Sequence, residues 1–157
     1  MTRQELILLA VNNNKEAADF YLSIFDALHF WDDLIDKDKP LDDSEVNNMM
    51  CNLLLKLPCN AFLRKNEALL IPILVNSIKN WQIANELERN PKDENDLAIA
   101  FILRSSYIDL LTSCLHLFFS PEKQIEIGCE IRRFTSSEGF DGYLKNLEAE
   151  KQARFKK

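Results

Sequence analysis

The chain is expected to fold as an all-α bundle of about six or seven helices, and three observations carry that expectation. Its 157 residues, 46% of them hydrophobic, suffice for one domain with a real core and would be cramped as two. Only 3 Gly and 5 Pro are present, too little turn punctuation for a sheet protein with many hairpins. The apolar residues recur at intervals of three and four, as they do on helices packed against a core. One domain is therefore expected over 1–157, with 136–157 as a loop plus a charged terminal helix.

The elements follow in order. Thr2 and Glu5 have capping-box spacing, so a first helix starts at Arg3 and frays at Asn12, Asn13 and Asn14. A second is expected from about Lys15 to about Lys37. Phe20, Ile24, Ala27, Leu28, Trp31, Leu34 and Ile35 mark its core face, and Leu22, Phe25 and Phe30 make it apolar over much of its circumference, hence central. Asp38, Lys39 and Pro40 end it.

Asp42 or Asp43 caps a third helix, from about Ser44 to about Leu57, where Pro58 stops it. Asn60 opens a stretch that Pro72 interrupts or kinks and that Trp81, Ala84, Leu87 and Glu88 continue. Asn90 and Pro91 pair as cap and first helical position for a helix reaching about Phe119, and Ser120 and Pro121 repeat the signal for one reaching about Phe134. Ser136 to Gly142 reads as a loop, and Tyr143 to Phe155 as the terminal helix.

Charge and cysteine content exclude some functions. A net charge of -6 argues against general nucleic-acid binding, which needs a basic surface, and the basic stretch Lys151 to Lys157 is short. Cys51, Cys59, Cys114 and Cys129 have neither zinc-site spacing nor the density of a disulfide scaffold. Reduced thiols in a cytoplasm fit them, with Cys114 and Cys129 as core residues. The apolar run Leu6 to Val11 is too short for a secretory signal, and longer runs are broken by Pro72, Arg104, Asp109 and His116, so no membrane span is expected.

The chemically unusual feature is a run of aspartates ending the second helix. At 100° per residue, Asp26, His29, Asp32, Asp33 and Asp36 fall within about 120° of arc, and Asp38 follows. Carboxylates at a helix C-terminus oppose the helix dipole and repel one another, so the cluster is expected either to be solvated and softened by Lys37 and Lys39, to meet a protein interface, or to have a cationic partner. Mg²⁺ held by Asp32, Asp36 and Asp33 is one candidate. Arg104, set in the apolar run Ala98 to Leu103, is the other, as an ion-pair or phosphate partner. Asp26 and His29 also have the i, i+3 spacing of a di-iron half-site, but His116 follows Thr112 and Ser113 rather than a carboxylate. Both histidines and both tryptophans, Trp31 and Trp81, also fit structural roles.

The run Asp32-Asp33-Leu34-Ile35-Asp36 resembles the first aspartate-rich motif of class I isoprenoid synthases. That resemblance implies an all-α enzyme holding a prenyl diphosphate through Mg²⁺, with Asp32 and Asp36 as metal ligands. No second aspartate-rich motif follows. Asn95-Asp96 begins the alternative metal motif of terpene cyclases, but Ile99 and Leu103 stand where a hydroxyl and a carboxylate belong. The longer string from His29 to Pro40 resembles a segment in small uncharacterised helical proteins of tailed bacteriophages.

The resulting expectation is a phage accessory or interaction protein, in the host cytoplasm or virion-associated. It would act with a protein partner or as a homo-oligomer, and its aspartate cluster could take a divalent cation. The alternative is a Mg²⁺-dependent enzyme acting on a diphosphate substrate. No Gly-rich phosphate loop or serine nucleophile elbow can be built from Gly128, Gly139 and Gly142, and no catalytic residue is assigned.

Overall fold

The computed structural model describes residues 1–36 and 40–155, without the side chains of Asp36 and residues 153–155. Lys37, Asp38 and Lys39, which the sequence places at the end of the second helix, and the last two lysines of the basic stretch lie outside the described residues. The described residues form an all-α bundle of about six helices.

Helix α1 (Arg3–Ala10) opens with the expected capping box: Glu5 N–H donates to Thr2 Oγ1 at 3.2 Å and Thr2 N–H to Glu5 Oε2 at 2.7 Å. The asparagine triplet is an ordered turn rather than a frayed end. Asn12 and Asn13 take φ of 49° and 58°, and their N–H groups bond Leu9 O and Leu8 O at 3.2 and 2.8 Å, closing a Schellman motif. Asn14 Oδ1 then accepts Ala17 N–H at 2.9 Å and caps α2 (Lys15–Asp36).

Helix α3 (Asp43–Cys51), capped by Asp42, does not stop at Pro58. It widens into a π turn (Asn52–Lys56) and continues as α4 (Leu57–Cys59). Proline at 58 has no N–H for Leu54 O and would crowd that carbonyl in an α-helix, and the wider turn accommodates both defects. Asn60 starts α5 (Ala61–Arg89), accepting Leu63 N–H at 2.9 Å. Pro72 lies within α5, and the non-helical dihedrals fall earlier, at Asn66, whose side chain donates to Phe62 O at 2.8 Å.

Asn90 ends α5 instead of capping the next helix. The cap is Asp93, whose Oδ1 takes the N–H groups of Asn95 and Asp96, and α6 (Glu94–Arg104) follows. The expected helix to Phe119 breaks at a 3₁₀ turn, Ser105–Tyr107, before α7 (Ile108–Thr112) and a second such turn at Leu115–Leu117. Ser105 and Ser106 hydroxyls donate back to Ile102 O and Leu103 O at 3.0 and 2.7 Å, competing with the helical pattern. Ser77, buried on α5, donates to Ser106 O at 3.0 Å and holds the turn in place.

Helix α8 (Pro121–Thr135) follows its Ser-Pro signal. Helix α9 (Gly139–Phe155) begins four residues ahead of expectation, at Gly139 with φ of 72°, so the loop is only Ser136 to Glu138.

The core gathers Leu6, Ile7 and Ala10 of α1, its C-cap Val11, and Phe20, Tyr21, Ile24 and Phe25 of α2 against α7 and α8, with Leu70 from α5. Helix α2 is central only in its first half. Leu34 and Ile35, expected in the core, are exposed, because the last turns of α2 run beyond it. Cys114 is buried as expected, whereas Cys129 is exposed. One stretch, Glu94–Leu117, is long and apolar enough by length and composition to cross a membrane, with mean hydropathy of 1.4. It carries Arg104 and Asp109 and packs here against α5 and α8, so alone it is weak ground for a membrane protein.

Candidate functional site

The aspartate arc on α2 is divided among three settings. Asp26 and His29 face α1: Arg3 Nη1 lies 3.2 Å from Asp26 Oδ1, and Arg3 Nη2 lies 3.4 Å from His29 Nε2. His29 Nδ1 is 2.7 Å from the carbonyl of Phe25, which can only accept. Nδ1 therefore carries the proton, and Nε2 is left to accept from Arg3. The pair with di-iron half-site spacing is thus occupied by an arginine.

Asp32 turns the other way, towards α5 and α6. Its Oδ1 accepts Trp81 Nε1–H at 3.0 Å and lies 3.7 Å from Arg104 Nη2. Trp31 and Trp81 pack beside it with ring centroids 5.2 Å apart. Arg104, placed by the sequence near the aspartates, has a closer partner than any of them. Its Nη1 donates to Glu88 Oε2 at 2.7 Å, and Asn85 Oδ1 lies 3.5 Å away. The second Glu88 oxygen accepts Tyr143 O–H at 2.6 Å. Glu88 is only 6% exposed, so its charge is tolerable because both oxygens are engaged.

Sequence reasoning left Glu88, Asn85 and Tyr143 out of the site. A signal existed: Trp81, Asn85 and Glu88 are spaced i, i+4, i+7, which puts an acid and an amide on the same face as a core tryptophan. Burial pushes the Tyr143 phenol far up from its ordinary pKa, and the adjacent Glu88 carboxylate pushes the same way. Tyr143 stays a neutral donor. Burial likewise raises Tyr107.

Asp33 lines a third setting, an open groove of about 920 Å³ between α2 and the α3–π-turn segment, with Asp19, Asp26, Glu45 and Asn52. Asn52 Nδ2 donates to Ser23 O at 3.1 Å, while its Oδ1 is buried without a hydrogen-bond partner. Asp32 and Asp33 thus serve different faces, and the side chain of Asp36 and all of Asp38 lie outside the described residues. Among the described residues no three His, Cys, Asp or Glu side chains come together as a metal-binding group.

Around Asp32 and Arg104 is a second pocket of about 340 Å³, walled by Trp81, Phe101, Tyr107 and Tyr143 and bordered by Glu138. It draws side chains from α2, α5, α6, the 3₁₀ turn and the α8–α9 segment. No family model, curated protein or solved structure matches the chain.

Proposed function

We propose that this is an accessory protein that acts by binding another protein chain, and that its docking element is α3 with the π turn that prolongs it. One observation carries the reading. Helix α3 buries none of its residues and the π turn buries only Asn52, while Val46, Met50 and Leu54 form a stripe at four-residue spacing with Leu53 and Leu55 beside it. Leu54 is 65% exposed. An apolar stripe on a helix that contributes nothing to its own core is the usual form of a helix-mediated contact.

The stripe is also self-complementary. Asp42, Asp43 and Glu45 stand at its start and Lys56 at its end, so an antiparallel second copy brings opposite charges together across a two-fold axis near Met50. A homodimer is therefore the partner proposed. The phage setting is supported by the likeness of residues 29–40 to phage proteins.

Sedimentation velocity over a concentration series is the test. The expected result is a concentration-dependent dimer that Leu54→Glu converts to monomer without changing helix content or melting temperature. A chain that stays monomeric at every concentration removes the homodimer. If Leu54→Glu also leaves every pull-down partner bound, the reading as a whole is lost.

A further inference from the structure

Asn52 and Leu57 are the two buried residues of the segment that joins α3 to α5, and they are five positions apart. At 100° per residue an α-helix would set them about 140° apart, so both would not face α2. The π turn brings them onto one side, closing with Leu57 N–H on Asn52 O, and leaves Leu53, Leu54, Leu55 and Lys56 exposed between them. Asn52 fits its place poorly. Its Nδ2 donates to Ser23 O at 3.1 Å, but its buried Oδ1 has no hydrogen-bond partner.

A π turn holds one residue more than the α-helical turn it replaces. Were the segment α-helical throughout, with Leu57 kept in the core, α3 would turn by about 100° and advance by about 1.5 Å. The wall that α3 and its π turn now present to the groove of about 920 Å³ is Glu45, Asn48, Met49 and Asn52, opposite Leu22 and Phe30 of α2. In the α register those four places pass to Val46, Met49, Met50 and Leu53. A polar wall becomes an apolar one, and the exposed stripe turns inward. No buried residue of α3 opposes the rotation, and Asp26 on the far wall is drawn off by Arg3 at 3.2 Å. Asn52 then leaves the interior, and its orphaned oxygen reaches water.

Pro58 decides between the two registers, because in the α register it has no N–H for Leu54 O and its ring crowds that carbonyl. We infer that α3 is a two-register helix: Pro58 and the π turn hold its apolar stripe outward, and the α register folds that stripe into the groove against Leu22 and Phe30. The inference rests on the reading of the stripe as the docking element and adds its control. A second copy binds only the outward register, so any population of the inward one weakens docking.

The chain has three methionines, Met1, Met49 and Met50, so methyl-labelled methionine in the full chain gives one NMR signal for each. A soluble gadolinium chelate, added to samples dilute enough to sediment as monomers, then reports which methyl faces water. In the native sequence it should broaden Met50 more than Met49. Pro58→Ala should bring Met50 down to the level of Met49 with helix content kept, and should weaken dimerisation about tenfold in sedimentation velocity. Leu53→Asp added to Pro58→Ala should return Met50 to the solvent, because the α register would bury the new carboxylate.

The inference is overturned if Met50 is broadened as strongly in Pro58→Ala as in the native sequence, or if it stays protected when Leu53→Asp is added. Loss of helix content in Pro58→Ala also overturns it, since the inward register predicts a fold at least as stable. So does a Pro58→Ala chain with Met50 protected that dimerises as tightly as before. A chain that never dimerises removes the homodimer alone, because the methionine signals decide the register in the monomer.

Discussion

Asp32 and Asp33 are neighbours in sequence yet belong to different surfaces, because one step along a helix turns a side chain by about 100°. Asp32 reaches Trp81 and the Arg104–Glu88–Tyr143 network, while Asp33 faces the groove beneath α3. Glu88 is the residue on which the network turns. Replacing it with glutamine removes the charge opposite a partly buried guanidinium but keeps the volume. Glu88→Gln is therefore expected to cost about 2–4 kcal/mol, measured by urea denaturation. Replacing Arg104 with Met in the same background should recover part of that loss, because it removes a partly buried guanidinium that has lost its nearest carboxylate. Arg104 was legible from sequence as a cation in an apolar run. Glu88 and Tyr143 were not, since 55 residues separate them and only tertiary packing joins them.

At the level of elements, signals confined to a few residues were legible and conditional ones were not. Thr2 with Glu5, and Asn60, mark helix starts because a cap is a bond between near neighbours, and Ser120 with Pro121 marks one through the fixed φ of a proline at the first helical position, without a side-chain cap bond. Pro58 and Pro72 were misleading because the cost of a proline depends on what the preceding turn can do, and at 58 that turn widens. Asn90 lost the cap to Asp93, whose single oxygen serves two N–H groups. Asn60 does more than cap, since its Nδ2 donates to Glu16 O at 3.0 Å and ties α5 to α2. Asn60→Ala should therefore destabilise by about 1–2 kcal/mol, the upper part of the range for a lost cap, as read from thermal or urea unfolding. Asn60→Asp keeps the capping oxygen but loses the donor to Glu16 O, so it should recover most but not all of that loss.

Across the whole molecule, burial is concentrated at one end, where α1 and the first half of α2 meet α7 and α8, while the other end of α2 carries the charged network. All three tyrosines of the chain are enclosed by this arrangement. Tyr21 sits in the core with its O–H donated to Leu110 O at 3.1 Å; Tyr107 and Tyr143 sit at the aromatic pocket. Burial is the leading cause that raises the pKa of each. In the unfolded chain the same phenols ionise near pH 10. Above that pH the unfolded state therefore holds fewer protons than the folded one, and stability must fall as pH rises. Below it the contribution is fully present. Absorbance near 295 nm should thus show little phenolate around pH 10 in the native protein, and the three tyrosines should ionise together in the same step that abolishes the helical circular dichroism. Tyr21→Phe should lessen the steepness of that alkaline loss and, by leaving a buried carbonyl short of a donor, lower stability at neutral pH by about 1–2 kcal/mol. Gradual ionisation of all three near pH 10 with helicity intact would contradict the packing described for both ends of α2.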